Sequence, residues 1–349
     1  MSQKTKAEIA PPRIVTWEIT RRCNLSCPHC RASAVDSSYE EELTTQEGYR
    51  LIDSILDLGM PMLIFTGGEP LLRGDIFDLA GYATSKGLSV SVGSNGTLVT
   101  EKMANEMKKV PISRLSVSID FPQPEMQDRF RGAEGAFDSA MGGIQNARQA
   151  GLEVQINSTI TRLNADYLDA LLSLAIEAGT VAFHPFLLVP TGRGKQLKEG
   201  ELSPTECERV FRWISEKDQE IGKMISIRPT CAPFYWRIMH QRSGGGTPGS
   251  SRRGCLAGTG FCFISHVGRV QGCGYLDIEA GDVRKQSFSD IWQSSPLFND
   301  LRDLSRLKGN CGACEFKRVC GGCRARAYEA TGDYLEAEPY CLYQPAMKK

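Results

Sequence analysis

Three cysteines within eight residues, Cys23, Cys27 and Cys30, lie near the start of this chain, and eight more, from Cys255 to Cys341, crowd its C-terminal part. Cys207 and Cys231 stand alone between the two groups. An odd total of thirteen fits a disulfide framework poorly. A small secreted disulfide scaffold would also carry a signal peptide, and MSQKTKAEIAPPR (1–13) has no apolar stretch of that kind. In a reducing compartment, clustered cysteines at short spacings mean metal. The expectation is therefore a metal-holding protein of the cytoplasm.

The rest of the sequence narrows what surrounds that metal. Lys plus Arg is 41 and Asp plus Glu is 41, so the chain lacks the basic excess of a phosphate-gripping nucleic-acid binder. No apolar run is long enough to span a membrane. From residue 14 to about 190, β-branched or apolar runs alternate with helical periodicity. The runs are IVTWEIT (14–20), MLIFTG (62–67), LSVSVGSN (88–95), LSVSID (115–120), EVQINSTI (153–160) and VAFHPFLLV (181–189). Helical patterns fall at 45–58, 75–86, 100–109, 135–150 and 166–178 between them, with another at 204–221. Six such units predict an α/β fold, a parallel sheet curled into a full or partial barrel. Chemistry in such barrels sits at the C-terminal ends of the strands. RRCNLSCPHC, GGEP, SNGT and SID follow the first four strands there. The composition then changes: SGGGTPGSSRRG (243–254) reads as a Gly/Ser-rich loop, and beyond it lies a Cys-rich segment with short strands and one helix near 287–304. The expected division is an extension over 1–13, a barrel over 14–225, a connection over 226–254 and a Cys-rich domain over 255–349.

The first cysteine group has the spacing C-x3-C-x2-C. A structural zinc site wants a fourth ligand nearby, and His29 adjoins Cys30 rather than being well spaced from it. A four-iron cluster on three thiolates keeps one iron open for an outside ligand, and an open position is where chemistry can occur. CNLSCPHC, with His29 before the third cysteine, resembles the signature of the radical S-adenosylmethionine (radical SAM) family, and the resemblance spans the whole chain. It implies a partial six-unit barrel. It also implies that Gly67, Gly68 and Glu69 of GGEP contact the methionine amino group, with Gly giving close backbone approach and Glu69 a negative partner. Ser94 and Asn95 match a third-strand polar site, and Ser118 a fourth-strand site facing the methionine carboxylate. Arg131 would be a second partner for that carboxylate, and VPTGRG (189–194) would approach adenine. The implied chemistry is reductive cleavage of the sulfonium to a 5′-deoxyadenosyl radical, which takes a hydrogen atom from the substrate.

The C-terminal cysteines resemble the SPASM extension of this family, which carries auxiliary four-iron clusters. Cys311-x2-Cys314-x5-Cys320-x2-Cys323 departs from the usual pattern by one residue in its last spacing. Two C-x2-C pairs also occur in zinc ribbons, which leaves a pair of structural zinc sites as the alternative. Eight thiolates would fully ligate two clusters, three in all with the first. By the resemblance, one auxiliary cluster takes Cys255, Cys262, Cys273 and Cys323, and the other Cys311, Cys314, Cys320 and Cys341. With no open iron, their role would be electron transfer. Cys207 reads as a packed small hydrophobe, and Cys231 as structural or in contact with substrate.

GCLAGTGFCFISHVGRVQGCGYLDIEAGDVR (254–284), CEFKRVCGGCRARAYEATGD (314–333) and TCAPFYWR (230–237) resemble the tetrapyrrole-modifying members of the family. The likeness implies oxidative decarboxylation of two propionates of iron-coproporphyrin III to vinyls, giving haem, with an auxiliary cluster as a suitable electron acceptor. The alternatives are deacetylation of didecarboxysirohaem, propionate modification on the way to haem d1, or modification of a peptide or protein. The first strand begins near residue 14, which leaves no room for a leader-peptide domain before it. A tetracarboxylate needs cations, and Arg193, Lys195, Arg237, Arg242, Arg252 and Arg253 gather about the expected barrel mouth and linker. Phe234, Tyr235 and Trp236 could stack on the macrocycle, and His240 or His266 could ligate its iron. The chain would work as a monomer with a low-potential donor of the flavodoxin or ferredoxin type and an acceptor that the sequence does not identify.

Overall fold

The run IVTWEIT forms strand β1 (Ile14–Thr20) and sets the pattern of the sheet. Its side chains alternate between two faces. Val15, Trp17 and Ile19 are buried in the main apolar core. A Cβ added at Gly48 of the following helix would lie 2.8 Å from the Trp17 ring, so this face looks towards the helices. Thr16 and Glu18 look the other way. The computed structural model describes residues 9–197, 200–242 and 253–346.

The remaining elements follow in order: α1 (Thr45–Leu56), β2 (Met62–Gly67), α2 (Ile76–Ser85), β3 (Val90–Ser94), α3 (Glu101–Lys109) and β4 (Arg114–Ser118). Two helices, α4 (Pro124–Arg131) and α5 (Ala136–Gln149), precede β5 (Val154–Ile160); then come α6 (Leu168–Glu177) and β6 (Ala182–Leu187). The chain continues through α7 (Pro204–Ile221), β7 (Ser226–Ile227) and α8 (Tyr235–Arg242). The last part holds β8 (Phe261–Ile264), β9 (Arg269–Gln271), β10 (Glu279–Asp282), α9 (Phe288–Ser294), α10 (Pro296–Arg302), α11 (Gly309–Ala313) and α12 (Arg324–Thr331). Thr44 caps α1 and Ser203 caps α7, each in a reciprocal box with Glu47 or Glu206, as S/T-x-x-E predicts.

Strands β1 to β6 lie side by side in sequence order, all parallel. This is the open, partial six-unit barrel expected. Ile64, Thr66, Ser116, Ser118, Asn157, Thr159, His184 and Phe186 are only half-buried, while their neighbours along each strand are buried against helices. The apolar core therefore lies between sheet and helices, and the lumen is largely polar.

Three features differ from the sequence reading. Strand β8 pairs in parallel with β1, Cys262 opposite Val15, so the sheet runs on from the barrel into the Cys-rich part rather than stopping near residue 225. Helices α4, α8, α11 and α12 were not anticipated. The single helix expected near 287–304 is two, because Pro296 cannot donate to a continuing helix and disfavours helical backbone at Ser295.

Candidate active site

The loop after β1 carries the first three cysteines and is held from several sides. Gly68 N donates to Thr20 O at 2.9 Å and Glu69 N to Arg22 O at 2.7 Å. A Cβ at Gly68 would sit 2.3 Å from Arg22 O, so only glycine fits this crossing of backbones. The Glu69 carboxylate is fully buried. It accepts from Ser94 Oγ at 2.8 Å, Asn95 N at 2.7 Å and Leu71 N at 3.2 Å. Burial pushes its pKa up to about 7 despite those donors. Asn95 Nδ2 reaches Asn24 Oδ1 at 2.8 Å and the Cys23 sulfur at 3.9 Å. Glu69, Ser94, Asn95 and the cysteine loop thus converge as expected. The difference is that Glu69 is enclosed: it ties β2 to β3 and offers its charge through the site rather than an exposed oxygen. Ser118 ends β4 on the lumen side.

The thiols of Cys23, Cys27 and Cys30 lie close enough that a charge on one is felt by the others. Burial is the main cause that pushes the Cys23 thiol up to about 11 and raises Cys27 as well. Donors already aim at these sulfurs: Leu25 N at 3.4 Å from Cys23, and Arg131 Nη1 at 3.7 Å from Cys27. Buried thiols with donors on them favour metal-bound thiolates, and the residues fit a cluster. Among the described residues no three His, Cys, Asp or Glu side chains converge tightly enough for a single metal ion.

Arg131 was expected on the methionine carboxylate. Instead it is buried, ion-paired with Asp120 and bonded to the Cys27 sulfur. His29 stacks on Phe130 at 4.5 Å between ring centres, its Nε2 3.9 Å from Asp120, and burial lowers its pKa to about 4. Asp120, in the SID that ends β4, organises this corner and was missed, although a charge closing an apolar strand was a visible signal. Glu18 was missed likewise. This carboxylate in an otherwise apolar run meets Arg31 at 2.7 Å, His266 at 2.8 Å and Arg21 at 3.1 Å. Burial opposes its ionisation, but Arg31 and then His266 hold its pKa down at about 2.

The C-terminal thiols form two further groups. Cys311, Cys314, Cys320 and Cys341 line one cavity with Gly321 and Gly322. Glu338 N points at the Cys311 sulfur at 3.3 Å, Arg324 Nη2 at 3.6 Å, and Gly322 N at the Cys320 sulfur at 3.4 Å. This foursome is the one expected. The other is not. Cys255, Cys273 and Cys323 are mutual neighbours, but Cys262 is 0% exposed within β8, and among the described residues Arg302 is the charged group beside it. It shares the face of Val15 that packs on helices, away from the other thiols.

The residues expected on substrate are mostly occupied elsewhere. Arg193 donates to Cys27 O at 2.9 Å and Ala34 O at 2.6 Å, clamping the cysteine loop. Lys195 pairs with Glu329 at 2.9 Å. Tyr235 and Phe234 are buried against Phe211. Arg237 bonds Glu208 at 2.7 Å and borders the Cys311 cavity. His240 packs edge-on against Phe316, and His266 serves Glu18. Arg242 pairs with Glu216 and Arg253 donates to Leu301 O. Arg252 lies outside the described residues. Among the described residues, Arg237 and Arg242 are engaged by carboxylates and Arg253 by a carbonyl.

The Radical SAM superfamily profile matches residues 17–175, and that of the SPASM iron-sulfur cluster-binding domain residues 255–323. The chain belongs to the radical SAM superfamily and carries an SPASM domain, which makes it an enzyme that uses S-adenosylmethionine and 4Fe-4S clusters. Within that class it is 46% identical over 346 residues to the AdoMet-dependent heme synthase of Methanosarcina barkeri, covering 97% of this chain and 98% of the relative. The Fe-coproporphyrin III synthase of the same organism is 32% identical, with 94% of this chain and 87% of that one covered. The structure of anSMEcpe with bound AdoMet superposes with a TM-score of 0.71 at 18% identity, over 95% of this chain and 94% of that one, a likeness of fold.

Proposed function

We propose that the protein is a haem synthase that oxidatively decarboxylates two propionates of iron-coproporphyrin III to vinyls. What carries this reading is the full-length 46% identity to an AdoMet-dependent heme synthase, against 32% to an Fe-coproporphyrin III synthase. When bound, the first cluster and S-adenosylmethionine supply a 5′-deoxyadenosyl radical. Cys23, Cys27 and Cys30 would hold that cluster, with Arg131 and Leu25 N tuning the sulfurs. Gly67 and Gly68 bring backbone within reach of the methionine end, and Ser94, Asn95 and Ser118 line its approach. Glu18 fixes Arg31 and Arg21 beside the cysteine loop. Strands and helices close the lumen from bulk water on the helix side. Loss of CO2 from the substrate radical leaves one electron to remove, and a cluster held by the SPASM cysteines would be able to take it. The enzyme works in the cytoplasm as a monomer with a flavodoxin- or ferredoxin-type donor, in keeping with cysteines clustered for iron rather than paired as disulfides.

The test is anaerobic turnover with iron-coproporphyrin III, S-adenosylmethionine and dithionite, followed by mass spectrometry. Stepwise conversion through a monovinyl species to haem is expected. Abundant 5′-deoxyadenosine beside unchanged porphyrin would overturn the substrate and leave the radical chemistry standing.

A further inference from the structure

Cys231 has a backbone conformation that side chains rarely adopt, φ +56°. Among the described residues only one other non-glycine position shares that property, Ser33. Such strain persists only where the surroundings enforce it, and here they do. The residue before it is fixed to β6: Thr230 N donates to Pro185 O at 2.9 Å and Leu187 N to Thr230 O at 3.0 Å. The carbonyl of Cys231 accepts from Arg326 Nη2 at 2.7 Å. That guanidinium is paired with Glu338, Nε to Oε1 at 2.9 Å, and the other oxygen of Glu338 accepts from Cys323 N at 2.6 Å. One buried ion pair thus binds the backbones of Cys231 and Cys323 side by side. Cys255 is brought to the same place, since Cys255 N donates to Cys320 O at 3.1 Å and Gly254 N to Val319 O at 2.8 Å.

The thiol of Cys231 has Cys323, Cys273 and Cys255 as its cysteine neighbours. Cys231, Cys255 and Cys273 keep accessible surface despite lying deep in the fold, so there is room beside them. Cys262 has none, lies across the sheet from the others and faces the helices.

We propose that Cys231 completes the first auxiliary iron–sulfur centre with Cys255, Cys273 and Cys323, and that Cys262 is a core residue with no part in it. The centre then draws one ligand from the end of the barrel and three from the SPASM domain. As the Fe–S bond forms, the thiol gives its proton to solvent. The inference rests on the iron–sulfur reading of the SPASM domain and not on the identity of the substrate.

The experiment uses the full chain with Cys23, Cys27 and Cys30 all replaced by Ala, so that auxiliary iron is read alone. Iron and sulfide per chain and the EPR spectrum of the reduced protein are measured after anaerobic reconstitution. Cys262→Val, which keeps an apolar side chain in the core, should leave both unchanged. Cys231→Ala should either lose about four irons or keep them with a changed spectrum that shifts again when cyanide occupies the opened iron. Cys231→Ser should retain iron with an altered spectrum, and it decides the matter if the Ala variant does not fold. Unchanged iron and spectra in the Cys231 variants, or loss of iron in Cys262→Val, would overturn the assignment. Cys255→Ala separates the two levels: if it too keeps all its iron with an unchanged spectrum, the iron–sulfur reading of this site falls, and the proposal with it.

Discussion

Glu69 shows how one side chain can be readable in the sequence and still be misjudged. Its place after β2 was legible in GGEP, and so was its company with Ser94 and Asn95. Its enclosure was not, because that depends on how closely β2, β3 and the cysteine loop approach. With its carboxyl pushed up to about 7 by burial, it is mostly neutral at about pH 6 and mostly ionised at about pH 8. Ionisation sets a negative charge beside Cys23, and an arriving methionine ammonium compensates it. Affinity for S-adenosylmethionine should therefore contain a component that strengthens as pH rises through about 7. Equilibrium dialysis of wild type against Glu69→Gln isolates it from the titration of the ligand's own amine; equal pH profiles would refute the role. Gly68→Ala is expected to abolish binding altogether, since its Cβ would lie 2.3 Å from Arg22 O. Arg131 and Arg193 show a simpler limit: sequence shows a cation near a site but not the carboxylate or carbonyl that it meets, Asp120 for one and the Cys27 and Ala34 carbonyls for the other.

At the scale of elements, β1 to β6 announced themselves through β-branched runs, and α7 through its capping box. Helix α12 did not, and its burial explains why. Arg324, Ala325, Arg326 and Ala327 are all buried, so the helix has no polar stripe to set against an apolar one. Its Arg326 is the most consequential ion-pair member of the C-terminal part. Arg326 and Glu338 are each 1% exposed. Removing one partner of such a pair leaves a buried charge and costs about 3–5 kcal/mol. Arg326→Ala should lower Tm in thermal unfolding and reduce reconstituted auxiliary iron together. Arg326→Ala in combination with Glu338→Ala should recover part of the stability, because no lone charge remains. A double variant no more stable than the single one would contradict this account.

For the whole molecule, the division into barrel and Cys-rich domain was legible in composition, but their physical continuity was not. Parallel pairing between β1 and β8 joins residues about 250 apart, a separation that no local pattern reports. Glu18 adds a second tie, since it holds Arg31 of the cysteine loop and His266 of the C-terminal part at once. A chain ending at residue 254 would leave β1 as an open edge and Glu18 without His266. It should be aggregation-prone by gel filtration and should bind less iron at the first site than the full chain; a monomeric truncated barrel with full iron would show the two parts to be independent.

The same pairing has a meaning for how the molecule is made. β1 leaves the ribosome among the first residues, yet the neighbour that covers its outer edge is synthesised only after some three-quarters of the chain. The scaffold beneath the first three cysteines is therefore among the last parts of the barrel to be finished. By this topology the loop of the first three cysteines reaches its finished scaffold only once residues 261–264 have been made and have returned to β1.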